Sequence, residues 1–199
     1  MEMVQFEKDD PAMSDDVMES IRNQMAFLAP RPGALVLVKD RVLRLPEQEV
    51  DSVLLQAIDV RTQLLEGRFY FVASIAAKMD FLEHIVRFFP FSLEAICTDD
   101  SGGNGDTSEH RFALLAARLG IRHSITRFSD HGLLAYTDRH FFDPQSSTSR
   151  WKTIDDAATG FAAFVHHHNH ERRLEIHHGA TPVECLRDLV GPSGSLGPP

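Results

Sequence analysis

The sequence predicts an α/β protein built on a mixed sheet with helices on its faces. Two observations carry this expectation. Apolar runs of strand length alternate with helix-period segments over residues 53–126, the pattern of a layered α/β architecture. The chain is also long enough, at 199 residues with 43% hydrophobic and 25% charged, for one substantial core and a small appendage.

Residues 14–28 read as an amphipathic helix. Ser14 can cap it, Val17, Ile21, Met25 and Leu28 share one face, and Pro30 and Pro32 stop it. Residues 34–38 and 42–45 look like two short strands around Lys39-Asp40, a turn without glycine. The polar stretch 46–51 is the expected boundary between this helix-and-hairpin segment, 1–50, and a main core, 51–190. Within the core, 53–60 (VLLQAIDV) and 68–75 (RFYFVASI) are strands. Residues 81–89 form a short helix ended by Pro90. A third strand, 93–98, then runs into Asp99-Asp100 and the loop SGGNG.

A helix from Ser108 places Phe112, Leu115, Ala116 and Leu119 on one stripe and stops at Gly120, before a fourth strand at 121–126. Asp130 can cap a helix through Phe142, and 145–149 is a loop. Thr153 and Thr181 each open a capping-box sequence, the second with Pro182 at the first helical position. The tail 191–199 is uncharged and rich in Gly and Pro, and is expected to be disordered.

Composition excludes several classes. Two cysteines, Cys97 and Cys185, give no disulfide framework. No apolar run is long enough to span a bilayer. Glu2, Glu7, Asp9 and Asp10 do not resemble a secretory signal, so a reducing cytoplasm is the expected compartment. A net charge of −9 argues against general nucleic-acid binding, which draws its affinity from basic contacts to phosphate.

Three segments in order carry a resemblance. FLEHIVRFFPFSLEAICTDD (81–100) is similar to the stretch of insertion-sequence transposases that leads into a Thr-Asp-Asn-Gly motif, here Thr98-Asp99-Asp100-Ser101-Gly102. LGIRHSITR (119–127) resembles the strand that follows, and FVHHHNHERR (164–173) with GATPVECL (179–186) resembles the C-terminal signature. The resemblance is to DDE-type transposase and retroviral-type integrase catalytic cores. It implies an RNase H-like fold and DNA transposition or integration by strand transfer. Mg²⁺ (or Mn²⁺) is the implied cofactor, and DNA, both transposon ends and target, the implied partner, with a homo-oligomer as a further expectation. In-line displacement at a phosphodiester is stabilised by two hard cations, and hard cations take carboxylate oxygens.

The resemblance implies Asp99 as the second carboxylate and Asp59, in AIDVRTQLLEGRFYFVA, as the first. The other reading of Asp59 is a solvent-facing residue at a strand end. Without gaps from LGIRH, the family's Glu-Arg pair falls on Asp138-Arg139, so Asp138 is the third expected ligand. Arg122, Arg127, Arg139 and Arg172 are the candidate phosphate contacts, although scattered arginines are ordinarily solvated surface. His166, His167, His168 and His170 read as a polar helix terminus favoured by the helix dipole rather than as a metal site.

The sequence also departs from the pattern. The Asp59–Asp99 interval is too short for three strands and a helix, so one strand is expected to be missing or shortened between Ile75 and Phe81. Asp100 replaces the usual asparagine, and no helix-turn-helix precedes the core. These departures, with the acidity, define the alternative: a catalytically inactive remnant acting as a binding or interaction module.

Overall fold

Five strands form one sheet in the order β3-β2-β1-β4-β5. In the computed structural model of the chain the described residues are 19, 23–24, 26–45, 51–99, 107–126, 134, 137, 140–142 and 151–191. The elements are β1 (Val36–Leu43), β2 (Ser52–Asp59), β3 (Leu65–Tyr70), α1 (Ile75–Phe88), β4 (Ala95–Asp99), α2 (Thr107–Arg118), β5 (Arg122–Thr126) and α3 (Ile154–His170). A 3₁₀ turn (Glu175–His177) and α4 (Pro182–Val190) follow. β1, β2 and β3 form an antiparallel meander, whereas β4 joins β1, and β5 joins β4, in parallel. Parallel neighbours need a crossover; α1 supplies the first and α2 the second.

Strand alternation divides the core. Val36, Val38, Val53, Leu55, Ala57 and Ile96 point to one face, where Phe81, Leu82 and Ile85 of α1 and Phe112, Leu115 and Ala116 of α2 cover them. Leu43, Leu54, Ile58 and Leu65 point to the other, against Phe161 and Phe164 of α3 and against Phe141 and Phe142. Both faces of β2 are covered, so every residue of it is buried and it reads as a continuous apolar run rather than an alternating one. Each fully buried Phe or Leu contributes about 1.5–3 kcal/mol.

Several local signals hold. Ser74 accepts a hydrogen bond from the Ala77 amide and caps α1. Thr153 caps α3. Thr181 and Glu184 form a full capping box on α4, with proline inside the first turn. Gly120 closes α2 with φ +75°, in the left-handed region glycine tolerates.

Three expectations are corrected. Residues 36–43 are one strand, not a hairpin, because the alternation Val36, Val38, Asp40, Val42 runs straight through Lys39-Asp40 while all eight residues pair with β2. This strand is the middle of the sheet, so the core begins before residue 51 and takes in β1. No strand is missing between Ile75 and Phe81 either; α1 begins at Ile75. The strand that seemed absent is β1, upstream of where it was sought. Of the expected first helix, 19, 23–24 and 26–28 are helical and the rest lies outside the described residues. So do most of the helix expected at 130–142 and the tail 192–199. No helix among the described residues is long and apolar enough to cross a membrane.

Candidate active site

The two central parallel strands decide where a carboxylate site can be. Val36 is level with Ile96, Leu37 with Cys97 and Val38 with Thr98, so β4 ends at Asp99 beside Lys39 and Asp40. From this register the backbones of Asp40 and Asp99 lie on the order of 6 Å apart, one strand spacing across and one residue along. Asp40 shares the parity of Val36 and Val38 and faces α1. Its Oδ2 meets the Lys78 ammonium at 3.1 Å, with the aspartate 19% and the lysine 42% exposed. Asp99 is half-buried and shares the parity of Cys97, on the face that Lys39 takes.

Asp59 is elsewhere, which corrects its expected role. It pairs with Val36, which is level with Ile96. That is about 10 Å along the strands from Asp99 and about 10 Å across the sheet, at the opposite end. Its carboxylate is fully buried. Oδ1 accepts the Gly33 amide at 2.8 Å, and Oδ2 accepts the Thr62 amide at 2.8 Å and the Thr62 hydroxyl at 2.7 Å. The Thr62 hydroxyl in turn accepts the Leu64 amide at 3.1 Å. Burial raises the Asp59 pKa, opposed by the hydrogen bonds from Gly33, Thr62 and Arg61. This aspartate ties the β2–β3 turn to the segment preceding β1. Gly33 is required there: its φ is +79°, and a Cβ would lie 2.1 Å from the Ser92 carbonyl oxygen.

The third expected ligand, Asp138, lies outside the described residues, as do Arg127 and Arg139. On either side of Asp138, Leu134, Thr137, Phe141 and Phe142 are buried, and the Arg41 guanidinium lies 4.4 Å above the Phe142 ring. Arg122 opens β5 and is exposed; Arg172 follows α3 and is half-buried. The described structure therefore sets the backbone of Asp99 next to that of Asp40, with the two side chains on opposite faces of the sheet, and brings neither to Asp59. The missed signal was the glycine-free turn at Lys39-Asp40: two charges inside an unbroken apolar alternation mark a strand with an acidic position on it.

The histidine-rich end of α3 is a packing device. Asn169 is buried, its Oδ1 accepting the Leu65 amide at 2.9 Å and its Nδ2 donating to the Leu65 carbonyl at 2.8 Å. The His168 Nε2 lies 2.9 Å from the Gln63 carbonyl; a carbonyl only accepts, so Nε2 carries the proton. His167 and His166 flank Glu171 at 3.2 and 3.8 Å. No group of three or more His, Cys, Asp or Glu side chains placed to hold a metal occurs among the described residues.

Burial lowers the His168 pKa to about 4 against the hydrogen bond to Gln63, and nearby Arg172, His167 and His177 push the same way. Below an unfolded value near 6.5 the unfolded chain takes up a proton that the folded chain refuses. The contribution of neutral His168 is present above pH 6.5 and falls away towards pH 4, by roughly 3 kcal/mol in all. Urea unfolding at pH 7.5, 5.5 and 4.5 should show this decline, and His168→Gln should flatten it.

The sheet order, the antiparallel meander and the two parallel crossovers define the RNase H-like fold of integrase catalytic cores. The chain is similar to the HTLV-2 integrase catalytic core domain solved in complex with magnesium in a dimeric form, with 11% identity, 78% of this chain and 97% of that one covered, and a TM-score of 0.56. It is also similar to a chain of the simian T-cell lymphotropic virus intasome in complex with PP2A regulatory subunit B56 gamma. There identity is 14%, coverage 81% and 56%, and the TM-score 0.55. At such identities the likeness is one of fold. No family model matches the sequence, and no curated protein matches it.

Proposed function

We propose that the chain is an integrase-type polynucleotidyl-transferase core acting on DNA, with its acidic edge where β1 passes the end of β4. The observation that carries this reading is the sheet itself, in which β4 runs parallel to the middle strand β1 and ends at the acidic Asp99. Asp40 and Asp99 each offer a hard oxygen donor of the kind that suits Mg²⁺ or Mn²⁺, from opposite faces of neighbouring strands. Asp138 remains the proposed third carboxylate. Since β4 turns Thr98 towards the side of Asp40 and Asp99 away from it, Asp100, next in sequence, is the competing candidate for the second.

When bound, divalent cations stabilise the entering and leaving oxygens of an in-line displacement at phosphorus. The chain's own part is to hold the carboxylates on a rigid sheet and to offer cations to the phosphates. Arg122, Arg127, Arg139 and Arg172 are proposed for that contact, which has to be local because the net charge is −9. Solved neighbours described as dimeric and as an intasome support assembly of several copies on DNA.

Mn²⁺ titration followed by electron paramagnetic resonance tests the reading. Asp40→Asn should weaken binding by at least about tenfold, whereas folded Asp59→Asn should bind as the wild type does. Asp99→Asn and Asp100→Asn, compared side by side, identify the second ligand. Strand transfer on DNA should fall with the same variants.

A second reading, a non-catalytic integrase-like interaction module, is favoured by one observation: the Lys78 ammonium already neutralises Asp40. Mn²⁺ indifferent to Asp40→Asn, or not bound by any form of the chain, decides for it.

A further inference from the structure

β3 is an edge of the sheet, and among the described residues no strand pairs with its outer side. Residues along an antiparallel strand turn their backbone groups alternately to one side and the other. Leu64 turns its carbonyl inward, where it accepts the Asp59 amide at 3.0 Å. Leu65 turns both its groups outward to Asn169. By the same alternation the amides and carbonyls of Gly67 and Phe69 point outward, away from β2. Asn169 thus closes one end of this edge and leaves the stretch from Gly67 onward able to take a further strand. Edges are ordinarily blunted by lysine, proline or a bulge, yet residues 67–72 (GRFYFV) hold no lysine or proline. Instead Phe71 is 64% exposed, Val72 53%, and Phe88 at the end of α1 39%. Phe71 and Phe88 border a groove of about 480 Å³ beside the edge, walled on the α3 side by Ala158, Ala162 and Val165.

We propose that this edge is an interface between two copies of the chain, joined β3 to β3 as antiparallel strands in one continuous sheet. The inference concerns assembly and is independent of the cation chemistry proposed above. The outward residues set the register. With Phe69 opposite the second copy's Phe69, their backbone groups exchange hydrogen bonds across a two-fold axis. Gly67 then falls opposite the second copy's Phe71, and Arg68 opposite its Tyr70. A Cβ at Gly67 would stand 2.5 Å from the Phe161 ring, so this position is a bare strip of backbone. The second copy's Phe71 covers it, the aromatic cover that suits an edge glycine. On the other face Arg68 already lies 5.6 Å over the Tyr70 ring of its own chain, and the second copy's Tyr70 offers it another. A two-fold interface needs a patch complementary to itself. The Gly67–Phe71 and Arg68–Tyr70 matches meet that need on both faces, and the small Ala158 and Ala162 leave room for the incoming strand.

Sedimentation equilibrium of the full chain, with amide exchange read at Gly67 and Phe69, tests this without DNA or metal. The wild type should dimerise, and both amides should gain protection as protein concentration rises. Phe71→Glu should weaken the dimer by at least about tenfold and keep the wild-type circular dichroism, because Phe71 is exposed. Leu119→Glu, a control at an exposed apolar residue after α2, should dimerise as the wild type does. A dimer that survives Phe71→Glu, is lost equally in Leu119→Glu, or leaves the Gly67 and Phe69 amides unprotected would overturn the proposal. So would a monomer at every concentration. Free exchange of both amides in that monomer would leave the edge to a strand of another protein, and protection of both would assign it to a segment of the same chain.

Discussion

Asp59→Ala is expected to destabilise the protein by roughly 3 kcal/mol or more, from three buried donors left without an acceptor at about 1–3 kcal/mol each. The mechanism is local and countable. The substitution leaves the Gly33 amide, the Thr62 amide and the Thr62 hydroxyl without their acceptor in a site with no exposure. For a chain of this size the melting temperature should fall by on the order of 10 °C. Asp59→Asn should do less, because its oxygen can still accept from Gly33 while its amide opposes the Thr62 amide. Asp40→Ala removes a partly exposed ion pair to Lys78, worth about 1 kcal/mol or less. Circular-dichroism melts of Asp59→Ala and Asp40→Ala therefore separate a structural aspartate from a site aspartate before any cation is added. Equal, small shifts would mean that the carboxylate of Asp59 is not the tie between Gly33 and Thr62.

Asn169→Ala should cost roughly 2–6 kcal/mol, from two buried backbone groups left unpaired at about 1–3 kcal/mol each. Its amide acts as a surrogate strand: Oδ1 and Nδ2 satisfy both the N–H and the C=O of Leu65, the first residue of β3, an edge strand. Edge strands carry unpaired backbone groups, and here one pair is closed by a side chain of α3. Asn169→Asp keeps the acceptor for the Leu65 amide but sets a carboxylate against the Leu65 carbonyl, so it should be no better than alanine. Chemical denaturation gives the size of the effect, and amide exchange locates it. The Leu65 amide should lose protection in Asn169→Ala while the Leu82 and Ile85 amides inside α1 keep theirs. Uniform loss of protection would place the role of Asn169 in the global fold instead.

These two residues show where reading a sequence succeeds and where it fails. The segment 164–173, which holds Asn169, was recognisable as a family-like signature. Its partner, the Leu65 backbone, was not recognisable, since nothing in the neighbourhood of either residue names the other. The α1 and α2 stripes, the Thr153 and Thr181 caps, Gly120 and the apolar β2 run were all legible. Each depends on interactions within about four residues, or on an alternation that burial imposes along one element. That is also why the α/β class could be stated before any coordinates.

The carboxylates are the contrary case. By itself the sequence determined that Asp59 stands in a strand-like segment, that Asp99 follows the end of one, and that Asp40 stands between two short apolar runs. Only the tertiary structure decided what each of them faces. Lys39-Asp40 looks like a turn until β4 is seen to lie parallel to β1, a pairing that spans about sixty positions of chain and makes the strand the middle of the sheet. Asp59 looks like a metal ligand until Gly33 and Thr62 are seen to enclose it. A carboxylate's chemistry is set by what faces it, desolvation and donors for Asp59, an ammonium and a neighbouring strand end for Asp40. Those neighbours are chosen by strand order and register, which are properties of the whole sheet and not of any window of sequence.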